Sequence, residues 1–275
     1  MRKAALVLSV TGIVLAVAGV TIAGSVFASG SSPTRSTARH GTNASGAQPS
    51  ATAKPKPKKV LIVGDSVALT LGVGIQRWGN RNGITVQNSA VLGCTLMDGN
   101  LVKNFAGTVK RVPDFCHTRK DWPTLLRTFK PDVVVALFGG QDVYDMSWDN
   151  GKSWTWAGKP AFDKRYRATM SNASTRLAAT GAHVLWLAPP CFAFIKGDTG
   201  SSPSSPWYDR RRIAALGNVL HTVATKTHQS VTDVIHAANC PVNFKTRPDG
   251  VHFSRAGADA MMPKLGPAIR KALGA

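Results

Sequence analysis

The chain is 275 residues long and 43% hydrophobic, which excludes a wholly disordered protein and leaves room for one or two domains. Its 34 Lys and Arg against 14 Asp and Glu give a formal net charge of +20. Nucleic acid, an anionic membrane and a phosphate-bearing envelope all suit such a charge, and composition does not choose between them.

Residues 1–59 carry eight basic and no acidic residues, leaving 26 basic and 14 acidic residues for 60–275. Arg2 and Lys3 precede an uncharged stretch of 24 residues, Ala4 to Phe27. A positive start with a long apolar run behind it directs the rest of the chain out of the cytoplasm. Val26-Phe27-Ala28 offers a cleavage site, so residues 1–28 read as a signal peptide. The same stretch is long enough to span about 30 Å of hydrocarbon, so it reads equally as an N-terminal membrane anchor. Residues 29–59 are mostly Ser, Thr, Ala, Gly, Pro and Lys, which predicts a disordered linker. The Lys-Pro alternation at 54–59 suits weak contact with an anionic wall polymer or membrane.

The remainder, 60–275, is expected to form one α/β domain. Val60–Val63 reads as a buried strand that runs into Gly64-Asp65-Ser66, and Leu69–Trp78 as a helix. Ile84–Val91 is a second strand, Asp121–Phe129 a short helix, and Asp132–Phe138 a third strand. Phe162–Ala179 is helical, His183–Leu187 a fourth strand, Tyr208–Thr225 helical, and Ser230–Ile235 a fifth strand. The closing helix, Arg255–Leu273, is interrupted at Pro263 and Pro267. Unbroken apolar strands alternating with helices predict a five-stranded parallel sheet in a three-layer α/β/α sandwich. In such sheets the site lies at the C-terminal ends of the strands.

Cys94, Cys116, Cys191 and Cys240 all fall in predicted loops. In an exported chain an even number points to disulfides, and four allow three connectivities. The expected pairs are Cys94–Cys116 and Cys191–Cys240, each closing one excursion above the sheet. A zinc site is the alternative, but no CxxC or HxxxH spacing supports one. Neither a metal nor a cofactor is expected.

Two short motifs carry chemistry. Gly64-Asp65-Ser66 places a serine hydroxyl where an inner strand hands over to a helix, beside backbone N–H groups that favour negative charge. Pro248-Asp249-Gly250-Val251-His252-Phe253-Ser254 precedes the last helix, and Asp249 and His252 lie three apart in a turn. A carboxylate that orients an imidazole, which in turn activates a serine, is the logic of nucleophilic acyl transfer.

These residues resemble the SGNH (GDSL-like) hydrolase superfamily over essentially all of 60–275. Its first block resembles Gly64-Asp65-Ser66-Val67, and its second the loop glycine Gly93 in Ala90-Val91-Leu92-Gly93. Its third, usually Gly-x-Asn-Asp, resembles Gly139-Gly140-Gln141-Asp142, and its last, Asp-x-x-His, matches Asp249 and His252. The resemblance implies the flavodoxin-like fold of that superfamily, with Ser66 as nucleophile, His252 as base then acid, and Asp249 as its orienting partner. It implies an oxyanion hole built from the N–H groups of Ser66 and Gly93 and a side-chain amide from Gln141. Here the chain departs from the pattern, since Gln is one methylene longer than Asn and must fold back to hold the same geometry. The texture around Cys94, Cys116, Trp122 and Lys130-Pro131-Asp132 also resembles exported SGNH domains associated with acylation of cell-surface sugars.

Tyr144, Trp148, Trp154 and Trp156, with Asp145 and Asp149 among them, are candidates for a sugar platform or for a small cluster that folds the loop. Cys191–Trp207 is a second candidate rim, and Arg210-Arg211-Arg212 reads as a solvated face. The expected protein is an exported serine esterase, monomeric, acting on an acylated carbohydrate or other small ester, with no nucleic-acid partner. An O-acyltransferase with the same triad and a non-catalytic wall-binding module are the competing readings.

Overall fold

The computed structural model describes residues 56–104, 106–112, 120–193 and 205–274. The predicted signal or anchor and most of the linker lie outside the described residues, as does Cys116. Among the described residues, no helix is long and apolar enough to cross a membrane.

Five parallel strands form the main sheet: β1 (Lys59–Gly64), β2 (Thr85–Asn88), β5 (Val133–Leu137), β7 (His183–Leu187) and β8 (Ser230–Thr232). Their order across the sheet is β2-β1-β5-β7-β8. Numbered among themselves, they run 2-1-3-4-5, the doubly wound order whose first and third strands flank the switch point. Val60–Val63 and all of β5 are buried, as strands covered on both faces must be. Helix α1 (Ser66–Arg81) packs on α6 (Arg255–Ala272), while α3 (Pro160–Leu177) packs on α4 (Arg210–Lys226) and α2 (Trp122–Phe129). The chain thus winds to either side of β1 and β5 and covers both faces.

Several boundaries differ from the sequence expectation, and three of the differences have a clear cause. β2 ends at Asn88 and not at Val91, because the Asn88 side chain donates to the Leu69 carbonyl and accepts from the Ala90 N–H, turning the chain. β8 stops at Thr232, and Val234–Ala238 forms a short helix, α5. A brief apolar run fits strand or helix equally, and here Ile235 reaches the core from a helix. Helix α6 runs unbroken through Pro263 and Pro267. The two prolines are exposed and stand four apart on its solvent face, where water can replace the backbone bonds they cannot make. Its opposite face buries Ala258, Met261, Met262, Leu265 and Ile269.

A second, antiparallel sheet was not anticipated. It orders β4 (Val109–Arg111), β3 (Leu101–Lys103) and β6 (Asp145–Ser147) as β4-β3-β6. Strands of three residues are too short to leave a periodic signal. Its strand β6 belongs to the segment that follows β5 in the chain.

Candidate active site

Ser66 is the first residue of α1 and lies directly beyond the C-terminal end of β1. Gly64 makes that hand-over feasible. A Cβ there would stand 2.0 Å from the Leu137 carbonyl oxygen and 2.4 Å from the Ala68 methyl. Asp65 caps the helix, its Oδ1 accepting from the N–H groups of Val67 (2.8 Å) and Ala68 (3.4 Å). Its Oδ2 accepts from the Gly140 N–H at 2.8 Å, which ties the serine turn to the loop after β5 across the switch point.

Asp65 is fully buried, and burial raises its pKa to about 6, although the N–H groups of Gly140, Val67 and Ala68 pull it down. The native group therefore takes up its proton as pH falls through about 6, whereas the unfolded chain does so only near 3.8. Native stability from this group is thus gained as pH falls between those values and is lowest above them. The expected gain is on the order of 2–3 kcal/mol. Denaturant titrations between pH 4 and 7 check it, and the same pH-dependent component should vanish in Asp65→Asn.

The third motif is pinned on its other side. Asp142 is buried and accepts from the Thr95 hydroxyl and from the N–H groups of Leu96 (3.2 Å) and Met97 (3.1 Å). It holds the segment after Gly93 against the Gly140–Gln141 turn, so the two loops form one unit. Gly93 itself has φ of 72°, a conformation that glycine adopts without penalty. Between the two pinned aspartates, the Gln141 side chain is partly exposed, and its amide makes no hydrogen bond among the described residues. If Gln141 supplies the side-chain oxyanion donor that the resemblance implies, Gln141→Ala lowers kcat for an ester by about 10²-fold with little change in KM. Steady-state kinetics check this.

The last motif completes a continuous chain of hydrogen bonds. Ser66 Oγ lies 2.9 Å from His252 Nε2, and His252 Nδ1 lies 2.7 Å from Asp249 Oδ2. Asp249 Oδ1 also accepts from the N–H groups of Val251 (2.8 Å) and His252 (2.6 Å). Partial burial pushes the Asp249 carboxyl up, but these N–H groups and the imidazole outweigh it and hold the carboxyl below its ordinary value. Gly250, at φ of 75°, allows the turn, and a Cβ there would meet the Ala193 carbonyl oxygen at 2.3 Å. Thr70 of α1 accepts from the Phe253 N–H at 3.2 Å, holding the loop over the serine helix.

Arg247, which carries no signal in the sequence, is fully buried beneath this loop. Its Nε and Nη2 donate to the Val251 carbonyl at 2.7 and 2.5 Å, and its Nη1 donates to the Cys191 carbonyl. The guanidinium lies over the rings of Phe192 (5.2 Å) and Phe253 (5.5 Å). Cys191 is bonded to Cys240, and Cys94 is also disulfide-bonded, its expected partner Cys116 lying outside the described residues.

The aromatic residues divide into two groups where the sequence offered one. Tyr144 is buried and stacks on Trp207 at 5.9 Å, and Trp207 stacks in turn on Phe192 at 5.7 Å. The Trp207 indole N–H donates to the Gly140 carbonyl, so this stack walls the serine turn. Trp148, Trp154 and Trp156 line a separate groove beside α3. The candidate acids are already engaged, Asp145 with Arg212 at 2.6 Å and Asp149 with Ser147 and Ser153. Arg212 is therefore not the solvated residue expected, because it also donates to the Val143 carbonyl beneath the site loop. Among the described residues, no cluster of His, Cys, Asp or Glu is arranged to hold a metal ion.

Residues 59–267 match a family described as "Protein of unknown function (DUF459)", and no curated protein matches the chain. Among solved structures, the chain is similar to a "putative acylhydrolase" from Bacteroides fragilis, at 17% identity and a TM-score of 0.53 over 80% of this chain and 91% of that one. It is similar to a "GDSL-like lipase" from Bacteroides thetaiotaomicron, at 15% identity and a TM-score of 0.53 over 78% and 89%. A "putative SGNH hydrolase" from Slackia heliotrinireducens shares 14% identity with a TM-score of 0.51 over 78% and 100%. At such identities the likeness is one of fold. The chain belongs to the DUF459 family, and the fold it builds around Ser66 and His252 is that of the SGNH hydrolases.

Proposed function

We propose that this protein is an exported serine esterase that hydrolyses O-acyl esters, acetyl among them, on an envelope carbohydrate. The observation that carries the reading is the unbroken hydrogen-bonded chain from Ser66 Oγ through His252 to Asp249 at the mouth of the sheet. In this reading Ser66 Oγ attacks the ester carbonyl carbon while its proton passes to His252 Nε2. The carbonyl π electrons move onto oxygen, where the N–H groups of Ser66 and Gly93 and the Gln141 amide receive the charge. Collapse of this intermediate breaks the ester C–O bond, and His252 returns the proton to the departing sugar oxygen. Water then repeats the sequence on the acyl-enzyme and frees the acid and Ser66. Asp249 holds the imidazole in the tautomer that presents a bare Nε2 to the serine.

The positive N-terminal segment and the uncharged Ala4–Phe27 stretch behind it support export, and the basic tether supports residence near an anionic wall polymer. An acyl donor supplied with and without a glycan acceptor tests the reaction class. Release of free acid at a rate unaffected by the acceptor is expected. Transfer to the glycan outrunning hydrolysis would assign the chain to the acyltransferases.

A further inference from the structure

The groove beside α3 contains no residue of the Ser66–His252–Asp249 chain. It encloses about 570 Å³ and is lined by Trp148, Trp154, Trp156, Lys159 and Arg165, among others. Its wall is built and not merely exposed. Met146 and Thr155 exchange both backbone hydrogen bonds, at 2.8 and 3.0 Å, closing a hairpin out of β6. Within that hairpin the Asp149 carboxylate accepts from the Ser147 hydroxyl (2.8 Å), the Ser153 N–H (2.9 Å) and the Ser153 hydroxyl (2.5 Å). Trp148 sits edge-on against the buried ring of Phe162 at 6.3 Å.

Each indole carries a cation over its ring. Lys103 Nζ lies 4.8 Å from Trp154, Lys159 Nζ 4.9 Å from Trp156, and the Arg165 guanidinium 4.8 Å from Trp148. Of the carboxylates nearby, Asp149 lines the groove with its charge intact and is held by its own loop. Asp163 accepts from the Gly158 N–H at 2.9 Å, and Asp145 is paired with Arg212. Among the described residues, Lys103, Lys159 and Arg165 form no ion pair with a carboxylate. Three cations over the rings outnumber the one carboxylate of the lining, Asp149, and match a ligand that offers both flat C–H faces and negative charge. A pyranose ring bearing a carboxylate or a phosphate has both.

We propose that this groove is an accessory binding subsite for an acidic glycan, which holds the polymer while an ester elsewhere on it reaches Ser66. The choice of a glycan rests on the esterase reading, but the binding is measurable without it. The test uses the full-length Ser66→Ala chain, titrated calorimetrically with polygalacturonate, phosphomannan, neutral dextran and oligothymidylate. The acidic glycans should bind with an affinity that falls as salt rises, and dextran should not bind. Whichever of the two acidic polymers binds more tightly identifies the anionic group. Trp154→Ala and Arg165→Ala should each weaken that binding by about tenfold. In the chain with Ser66 intact, the same two substitutions should leave p-nitrophenyl acetate turnover unchanged.

Absence of binding to either acidic polymer would overturn the proposal, as would binding undiminished by both substitutions. Oligothymidylate binding more tightly than either glycan would overturn it too, in favour of a single-stranded nucleic-acid site. An enzyme that turns over no ester would sink the esterase reading and leave the glycan titrations to be judged alone.

Discussion

Ser66→Ala is expected to lower turnover of p-nitrophenyl acetate on the order of 10⁴-fold or more, with the fold unchanged. The Ser66 hydroxyl makes its hydrogen bond to His252, so its removal leaves the other ties between elements in place. Alanine is at least as favourable as serine in a helix, so the loss falls on chemistry and not on stability. His252→Ala should cost about as much, since removing either member of a unit disables the whole. Asp249→Asn should cost less, roughly 10²–10⁴-fold, because Asp249 is half-exposed and water partly replaces it. Its amide would present a donor to His252 Nδ1 and favour the wrong tautomer. Initial rates for the purified protein and its three variants, with circular dichroism as a control, decide the matter. Equal rates in the wild type and Ser66→Ala would sink the enzyme assignment outright.

Arg247→Met is expected to be the most destabilising single change near the site, at about 3–5 kcal/mol, or about 10 °C in Tm. Burial of the guanidinium already pushes its pKa down to about 10, with Asp249 and Asp65 pulling the other way, so it stays charged at neutral pH. Removing that buried charge recovers some desolvation energy. Against this, the Val251 and Cys191 carbonyls lose their donors, and each unsatisfied acceptor costs about 1–3 kcal/mol. The faces of Phe192 and Phe253 also lose the group packed between them. Because Val251 adjoins His252, kcat should fall by about 10²-fold, the penalty for a small misplacement of a reacting group. Arg247→Lys should recover only part of both losses, since one ammonium cannot span two carbonyls as a planar fork does. Calorimetry and kinetics on the two variants check this. A Met variant within about 1 kcal/mol of wild type and fully active would show that the loop holds itself.

These two regions differ in how far they could be read in advance. Ser66, Asp249 and His252 stand in short motifs whose residue types and spacing announce their chemistry. Arg247 sits one residue before Pro248-Asp249, and an arginine in a polar turn looks like any solvated arginine. Only its burial against Phe192, from a loop more than fifty residues away, gives it a role. Asp65 shows the intermediate case. Its capping of α1 is local and visible in the sequence, whereas the bond from its second oxygen to Gly140 is not. The aromatic cluster misled for a related reason. Tyr144 is near Trp148 along the chain, but its ring is claimed by Trp207 and not by the groove beside α3.

The sequence by itself determined the layers of the domain. Buried strands such as Val133–Leu137 cannot alternate polar and apolar residues, and helices such as α6 must carry an apolar stripe. It also determined which residue types stand at the strand ends, because cap, turn and nucleophile chemistry are local. Tertiary structure alone decided which distant groups meet there. Hydrogen bonds that join Ser66 to His252, Asp65 to Gly140, Asp142 to Met97 and Arg247 to Cys191 span long stretches of chain and leave no periodic trace. They form because a buried polar group without a partner costs more than the loop entropy needed to supply one.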